Sequence, residues 1–418
     1  MITDPLTVFR DQSEVGKLWL DREEQFTFQY SRDWLHRPDA IPLSLSHPLQ
    51  DEPIDQDRTK AFFVNLLPEK NRRRSVAQHL NISEADDFRL LGALAGDCAG
   101  DVSMYPRDQI PATTPTYRAL SENELDERVE RLQERPWLVD EDGVRSSVAG
   151  NQQKLPVFID QDCVYIPVAG APSSHIIKPQ SKCYENLVEN EAFCSELANQ
   201  LGIQSLSGRV HLGHSLQYWI ERGDRVRRPD GHLVRVHQED FCQVLNISPE
   251  SKYEMHGGPS LTQCFDLVRR YSVAPAADVK ALVQWVMFNY FIGNHDIHAK
   301  TLSFRVDSAG PRLAPFCDLI CTIIYQPATE PMAMQIGGEG RPSWVVGKRW
   351  ENFSRDIQIK QKYVKSLLGS LARQVMVCAE KLAKEYMRSN LGESAIPRIL
   401  QVIKTRARNS LNNLRAIS

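Results

Sequence analysis

The feature that most constrains the fold is the run Val279–Ile292, which is apolar on all sides. A helix without a polar face is buried inside a large core, so we expect a central buried helix here. Polar residues follow at once in Gly293–Thr301 (GNHDIHAKT), which places charged groups at the edge of that core. At 418 residues the chain is longer than one core usually requires. We therefore expect more than one structural unit.

Strand-like segments precede the apolar helix in the chain. Short apolar runs bounded by turn residues predict a small antiparallel sheet. One helix, stopped by a glycine, interrupts that sheet. The predicted elements are strands at Leu155–Ile159, Cys163–Val168 and Ser174–Lys178, a helix over Glu185–Leu201, and strands around Val210 and at Gln217–Glu221.

Helical patterns dominate beyond about residue 237. One predicted hairpin, Leu302–Val306 with Arg312–Phe316, surrounds the turn Asp307–Gly310. Long helices are predicted over Gln358–Ser389 and Ile396–Leu414. A strand-rich lobe and a helical lobe, joined by a short connection near Trp219–Asp224, are typical of protein-kinase-like enzymes.

Residues 1–140 mix strand-like pieces with helical ones and predict a separate α+β subdomain. A charged helix over Glu122–Glu134, ending before Pro136, is the predicted connector. The expected fold class is therefore α+β, a bilobal protein-kinase-like fold with an added N-terminal α+β subdomain. The expected domains are 1–140, a strand-rich ATP-binding lobe over 141–222 and a helical lobe over 223–418.

Composition excludes several classes of protein. A formal net charge of −3 argues against a chain that coats nucleic acid by itself. Basic clusters at Arg72–Arg74 and at Lys404, Arg406, Arg408 and Arg415 are read as solvated faces or as nucleic-acid contacts. The amino terminus lacks a leader pattern and no stretch is long enough to span a bilayer, so we expect a cytoplasmic protein. Nine cysteines, none in a C-x-x-C pair, suggest neither a zinc site nor a disulfide framework.

The residues around Gly293–Thr301 suggest phosphoryl transfer. That reaction needs a carboxylate beside the attacking hydroxyl, a nearby cation and a second carboxylate that holds magnesium. Asp296, Lys300 and Asp318 are of these types, and pairing of the hairpin would return Asp318 to the neighbourhood of Asp296. The alternative is that both aspartates cap turns or helices. A metal pair of Asp296 and His298 in an unrelated enzyme lacks further ligands at a suitable spacing.

Two segments are candidates for binding phosphate. Lys178 ends a predicted strand, where its ammonium could reach an ATP phosphate or be solvated. The segment Ser147–Lys154 has small residues that allow backbone N–H groups to face an anion, although a surface turn would look the same. Its candidate contacts are Val148, Ala149, Gly150, Asn151 and Gln152. Gly92–Gly100 lacks the ending of a P-loop and is read as a packed turn.

Taken together, the segments of this chain resemble the HipA family of toxin kinases over most of its length. The resemblance rests on motifs that occur in the family's order. They are Leu90–Gly100, Ser147–Gly150, His175–Pro179, Glu189–Glu191, Gln238–Gln243, Lys252–Glu254, Gly257–Pro259, Asp296 with His298–Lys300, and Pro315–Asp318.

The resemblance implies a serine/threonine kinase that uses ATP and Mg²⁺ and phosphorylates a translation-related protein, in the known case glutamyl-tRNA synthetase. It also implies a small HipB-like helix-turn-helix antitoxin as partner, through which the pair reaches operator DNA. By position, the resemblance implies Asp296 as base, Asp318 and Thr301 as metal ligands, Lys178, His298 and Lys300 near the nucleotide, Glu221 at the adenine, and Ser147 as the autophosphorylated serine.

Two positions depart from the family pattern. Thr301 stands where the family usually has Asn as the second magnesium ligand, and a hydroxyl is a poorer ligand than an amide carbonyl. Asn294 or a water would then complete the coordination, or activity would fall. Gly223 stands where an adenine-facing aromatic is common. These departures keep open a second function, a catalytically weak co-repressor or scaffold that works with its antitoxin.

Overall fold

The computed structural model describes residues 3–132, 144–325 and 331–415. The first unit is a four-stranded antiparallel sheet in the order β3-β2-β1-β4, with four helices beside it. Its hydrophobic core is separate from the two hydrophobic cores of the rest of the protein, and it includes Phe28, Phe62 and Phe63. Its elements are β1 (Leu6–Arg10), β2 (Ser13–Leu20), β3 (Phe26–Tyr30), α1 (Arg32–Leu35), α2 (Gln56–Val64), α3 (Lys70–Leu80), α4 (Asp87–Leu94) and β4 (Val102–Pro106).

The second unit is a six-stranded antiparallel sheet that carries one long helix. Strand order is β5-β7-β6-β8-β10-β9, so the strand that carries Lys178 lies inside the sheet. A capping box of Ser121 and Glu124 starts the connecting helix. The elements are β5 (Thr116–Leu120), α5 (Glu122–Glu130), β6 (Leu155–Asp160), β7 (Cys163–Val168), β8 (His175–Pro179), α6 (Leu187–Gln200), β9 (Gly208–Leu212) and β10 (Leu216–Glu221).

The third unit is helical apart from two small sheets. The predicted buried helix is confirmed as α9, which starts at Pro275 in a favoured first position and ends at Gly293 with a φ of +79°. The elements are β11 (Arg225–Arg227), β12 (Leu233–Arg235), β13 (His237–Asp240), α7 (Phe241–Leu245), α8 (Leu261–Tyr271), α9 (Pro275–Ile292), β14 (Ser303–Asp307), β15 (Gly310–Leu313), α10 (Gly347–Asp356), α11 (Gln361–Arg388) and α12 (Ala395–Arg415).

The predicted hairpin is present as β14 and β15, but its second strand covers Gly310–Leu313 and not Arg312–Phe316, and it gains a third strand from β13. The predicted connector helix is present as far as Glu130, and its predicted end near Pro136 lies outside the described residues. Strand β5 pairs with β7, so it belongs to the second sheet and not to the first unit. We therefore propose that the N-terminal subdomain ends between β4 and β5, earlier than residue 140.

A buried charge cluster joins the three units. Asp97, from the segment read as a packed turn, is 2.7 Å from Arg225 and 3.2 Å from Arg222. Asp224 lies 2.7 Å from Arg222 and accepts a hydrogen bond from the N–H of Gly100. Removing one partner of a buried ion pair costs about 3–5 kcal/mol, because the other charge stays buried. This cluster therefore fixes the N-terminal unit against the connection between the lobes.

The two basic clusters seen in the sequence are largely engaged within the protein. Arg72 is buried, whereas Arg73 pairs with Asp87 and Arg74 with Glu84. On the last helix, Arg406 is buried and donates to the carbonyl of Tyr290, and Lys404 pairs with Glu380. Among the described residues, no helix is long and apolar enough to cross a membrane.

Candidate active site

A buried lysine marks the floor of the cleft between the two lobes. The Lys178 ammonium at the end of β8 lies 2.5 Å from Glu191 on α6 and 2.7 Å from Asp318. Burial opposes the charge on Asp318, yet the ammonium groups of Lys178 and Lys154 hold its pKa well below the usual range. Asp318 is therefore an anion at neutral pH, placed to hold a cation. Glu191 belongs to the motif Glu189–Glu191, but sequence reasoning did not predict its ion pair with Lys178.

Asp318 is held in an unusual backbone conformation. Its φ is +52°, a left-handed value that non-glycine residues adopt rarely and that is common at functional sites. The side-chain amide of Asn294 donates to the carbonyl of Asp318 at 3.1 Å. The same amide donates to Asn289, and its oxygen accepts from the N–H of Asp296 at 3.2 Å. Asn294 thus connects the two aspartates through their backbones and holds the loop.

The Asp296 side chain is exposed at the cleft, and other side chains surround it. Its carboxylate accepts a hydrogen bond from the hydroxyl of Tyr253 at 3.0 Å. Burial raises the pKa of Asp296. Its neighbours Lys252, Tyr253 and Lys70 lower that pKa, and the charge of Asp318 raises it. The charge of Asp318 therefore acts on the Asp296 carboxylate. A carboxylate with a raised pKa that faces a cleft is suited to accepting a proton.

The residues that follow Asp296 do not all face the cleft. The Lys300 ammonium donates to the side chain of Asn65 at 2.7 Å and to Asp240 at 2.9 Å. Lys300 was predicted to supply the cation of the reaction, and its ammonium is paired with Asp240 of β13 while it donates to Asn65 of the N-terminal unit. The hydroxyl of Thr301 donates to the carbonyl of His298 at 2.8 Å, so it closes its own turn. Neither contact was readable from the spacing of the motif.

His298 is buried and uncharged. Burial lowers its pKa well below the ordinary value, and the neighbouring Lys252 and Lys300 lower it further. Among the described residues its Nδ1 atom has no hydrogen-bond partner. The ring lies edge-on to Tyr253 with a centroid distance of 5.4 Å. A neutral imidazole with a free ring nitrogen suits a contact to an incoming polar group.

The candidate phosphate loop is held by the N-terminal unit. The hydroxyl of Ser147, fully buried, donates to the carbonyl of Leu66 at 2.7 Å. The N–H of Glu69 donates to the carbonyl of Gly150 at 3.3 Å, and Arg72 donates to the carbonyl of Val148. These contacts seat the backbone of the loop against one short segment, residues 66–72.

The rest of the loop leads back to the cleft. Lys154 donates to the carbonyl of Ala149 at 3.0 Å and lies near Asp318, whose pKa it lowers. Asn151 is exposed and Gln152 half-buried, so both candidate contacts face open space. Lys154 ends the candidate phosphate-binding segment Ser147–Lys154, but the sequence did not predict a role for it. Its proximity to Asp318 places a second cation beside the predicted phosphate position.

The predicted adenine contact lies at the end of β10. Glu221 is exposed, and its N–H donates to the carbonyl of Ser207 at 2.9 Å. A Cβ atom added at Gly223 would lie 2.7 Å from Leu206, so the leucine fills the space that a larger residue there would need. Leu206 therefore supplies the apolar surface beside this connection.

A strand-rich lobe, a helical lobe, and a buried lysine–glutamate pair facing two aspartates define the class of protein-kinase-like folds. Residues 146–379 match the family model of the HipA-like C-terminal domain, and residues 6–105 match that of the HipA N-terminal domain. The first match alone spans more than half of the chain. The chain belongs to the HipA family of serine/threonine kinase toxins.

Relatives extend over nearly the whole chain. A protein of Sinorhizobium fredii named "Putative kinase Y4mE" is 36% identical over 400 residues, 92% of this chain and 94% of that protein. The serine/threonine-protein kinase toxin HipA of Shewanella oneidensis is 29% identical over 374 residues, 86% and 85% of the two chains. The solved complex of Shewanella oneidensis HipA, HipB and operator DNA contains a similar chain, with a TM-score of 0.86, 26% identity and 99% of each chain covered.

Proposed function

We propose that this protein is an active ATP- and Mg²⁺-dependent serine/threonine protein kinase, the toxin of a toxin–antitoxin pair. The observation that carries the proposal is the convergence of Lys178, Glu191 and Asp318 with Asp296 at one cleft. A lysine for the nucleotide phosphates, an anionic carboxylate for a metal and a carboxylate that can accept a proton are the parts that phosphoryl transfer needs.

The donor atoms at the cleft fit magnesium. Mg²⁺ is commonly bound by one or two carboxylates together with substrate phosphates and waters, and Asp318 provides such a carboxylate. When bound, the ion would neutralise negative charge on the phosphates. Lys178 would orient those phosphates, and the backbone of Val148–Gly150 would line them. Asp296 would accept the proton of the attacking serine hydroxyl at its carboxylate oxygen.

The experiment is transfer of labelled phosphate from ATP in the presence of magnesium, comparing the wild-type protein with Asp296→Asn. The substitution keeps the size of the side chain and removes the base. We expect the rate to fall by about 10²–10⁴-fold, the range that general-base catalysis contributes. Nucleotide binding should be retained, because Asp296 acts on the acceptor. Equal rates in the two proteins would contradict the proposal.

We further propose that a HipB-like helix-turn-helix antitoxin binds this protein in the cytoplasm and carries it to operator DNA. The similar chain in the complex of Shewanella oneidensis supports this partner. The proposed acceptor is a serine of a translation-related protein, with an aminoacyl-tRNA synthetase as first candidate. Phosphorylation of the chain's own Ser147 is the proposed off switch.

A second candidate function is a catalytically weak co-repressor that works with the antitoxin. The observation that favours it is Thr301, whose hydroxyl is already bound to the carbonyl of His298. The cleft then has one carboxylate for the metal and lacks the usual amide ligand. Nucleotide binding without phosphate transfer by the wild-type protein would favour this alternative.

A further inference from the structure

A buried lysine outside the predicted site lies close to the catalytic carboxylate. Lys252 follows the turn Pro249–Ser251 and is 6% exposed. Its neighbour Tyr253 donates to the Asp296 carboxylate at 3.0 Å. Burial raises the pKa of Asp296, and the charge of Lys252 lowers that pKa more than the charge of Lys70 does. Lys252 is thus a buried positive charge next to the group that would accept the substrate proton.

The partner of this lysine comes from the N-terminal unit. The Lys252 ammonium lies 2.6 Å from the Glu69 carboxylate, and both side chains are at most 10% exposed. Glu69 is the residue before α3, and its N–H holds the carbonyl of Gly150 in the phosphate loop. A single N-terminal residue therefore contacts the phosphate loop through its backbone and the catalytic region through its side chain.

The other buried lysines of the cleft are bound mainly by other groups, although the Lys300 ammonium also lies 3.9 Å from the Glu69 carboxylate. Lys178 pairs with Glu191 and Asp318, and Lys300 is bound to Asn65 and Asp240. His298 is uncharged because its burial lowers its pKa. Transfer of a phosphoryl group spreads negative charge over the oxygens of that group, and a nearby cation stabilises it. Lys252 has the charge and the position for this task beside Asp296.

We propose that Lys252 is a further catalytic residue whose ammonium contacts the transferred phosphoryl group, and that Glu69 is the positioning residue that holds it there. The inference rests on the proposed kinase function. In the step, the acceptor oxygen forms a bond to the γ-phosphorus while the bond from that phosphorus to the bridging oxygen of ADP breaks. The electron pair leaves with ADP and the hydroxyl proton passes to Asp296. Lys252 donates hydrogen bonds to the phosphoryl oxygens.

The proposal gives the N-terminal unit a role in the reaction. Without the Glu69 carboxylate, the Lys252 ammonium would pair with Asp296 and make the base weaker. Loss of either side chain should therefore lower kcat. The KM for ATP should change little, because Lys178 and the loop remain in place.

The test uses the full-length protein and labelled ATP, with kcat and the KM for ATP measured separately. Lys252→Met removes the charge and keeps the chain length, and we expect kcat to fall by about 10²-fold or more, as when one transition-state donor is lost. Lys252→Arg should recover part of that loss, and Glu69→Gln should lower kcat by roughly tenfold. The matched control is Lys404→Met, which removes a lysine paired at 2.7 Å with Glu380 on the C-terminal helices. It should leave both constants unchanged.

Lys252→Met leaves a buried carboxylate unpaired, so the double variant Lys252→Met/Glu69→Gln removes both charges and guards against unfolding. Its kcat should match that of Lys252→Met. A folded single or double variant with kcat within twofold of wild type overturns the inference alone, and a wild-type protein that transfers no phosphate overturns the proposed function and the inference with it.

A readout independent of turnover is the pKa of Asp296, followed by carbon NMR of the carboxyl group. The groups that face this carboxylate are Lys252, Tyr253, Lys70 and Asp318. Loss of the Lys252 charge should raise the pKa of Asp296, whereas Lys404→Met should leave it unchanged. An unchanged pKa in Lys252→Met would show that the lysine is too far away to act, and would also overturn the inference.

Discussion

At the scale of the residue, Thr301 is the position where the site departs most from the family pattern. Its hydroxyl donates to the carbonyl of His298, and a hydroxyl oxygen is a poorer metal ligand than an amide carbonyl. Thr301→Asn supplies an amide oxygen in the same turn. We expect the magnesium concentration for half-maximal rate to fall by roughly tenfold, the low end of the effects of changes around metal sites.

The measurement is the phosphorylation rate over a magnesium titration, and Thr301→Val is the matched control because it keeps the shape and removes the hydroxyl. A higher magnesium requirement in Thr301→Asn would show that the threonine is adapted to this site. It would then count against the second candidate function, which depends on a defective metal site.

Sequence reasoning located the two aspartates but not the direction of the lysines. Asp296 follows a buried helix and Asp318 follows a hairpin, so local order brings them together. Lys300 lies in the same motif, yet its side chain binds Asn65, from a helix 235 residues away in sequence. Lys252 meets Glu69 over a separation of 183 residues. Such pairs depend on how the units dock, which no local pattern encodes.

At the scale of the element, the phosphate loop is the part most open to regulation. Ser147 is buried and its hydroxyl donates to Leu66, so it must leave that carbonyl before it can accept a phosphate. A phosphate adds a charge of roughly −1.5 to −2 and removes the donor. We expect phosphorylation of Ser147 to hold the loop out of its seat on residues 66–72 and to switch the kinase off.

Mass spectrometry should find phosphoserine at Ser147 in the wild-type protein and not in Asp296→Asn. The modified species should bind ATP at least about tenfold more weakly, a change of roughly 1.4 kcal/mol. Ser146→Ala is the control. Ser146 is buried like Ser147, but its hydroxyl donates to the carbonyl of Asp97 and not to that of Leu66. Equal ATP affinity with and without the phosphate would reject the mechanism of loop displacement.

Most elements were predictable from the sequence, and the errors concern pairing. Turn residues and apolar runs indicated the strands of the second sheet and the long helices. The residues of strand β5 fell within the predicted subdomain 1–140, because their partner β7 lies beyond the connector helix and period-two patterning does not reveal partners. The third strand of the hairpin sheet, β13, was missed for the same reason.

At the scale of the whole molecule, charge separates the kinase from the DNA contact. The net charge is −3, and Arg72, Arg73, Arg74, Lys404 and Arg406 are buried or paired within the protein. Affinity for DNA rises with the number of phosphates that are neutralised, and it then falls steeply with salt. We therefore expect the kinase alone to bind DNA weakly, and the complex with its antitoxin to bind the operator.

This division is tested by co-purifying the complex from the native locus and measuring its DNA binding. The salt concentration is varied between about 50 and 200 mM, the range over which binding through phosphate contacts weakens steeply. The salt slope of the complex should equal that of the antitoxin alone. A steep slope for the isolated kinase would show that it has a basic surface for DNA of its own.

Lys178, Asp318 and Asp296 are proposed to form one site for a magnesium nucleotide. The most direct measurement is diffraction from crystals grown with a non-hydrolysable ATP analogue and Mn²⁺, whose anomalous signal locates the metal. The account predicts a metal peak at the Asp318 carboxylate, phosphates on Lys178 and the Ser147–Gly150 loop, and a terminal phosphate that faces Asp296. A nucleotide bound elsewhere, or an Asp318 carboxylate still paired with Lys178 and without metal, would contradict it.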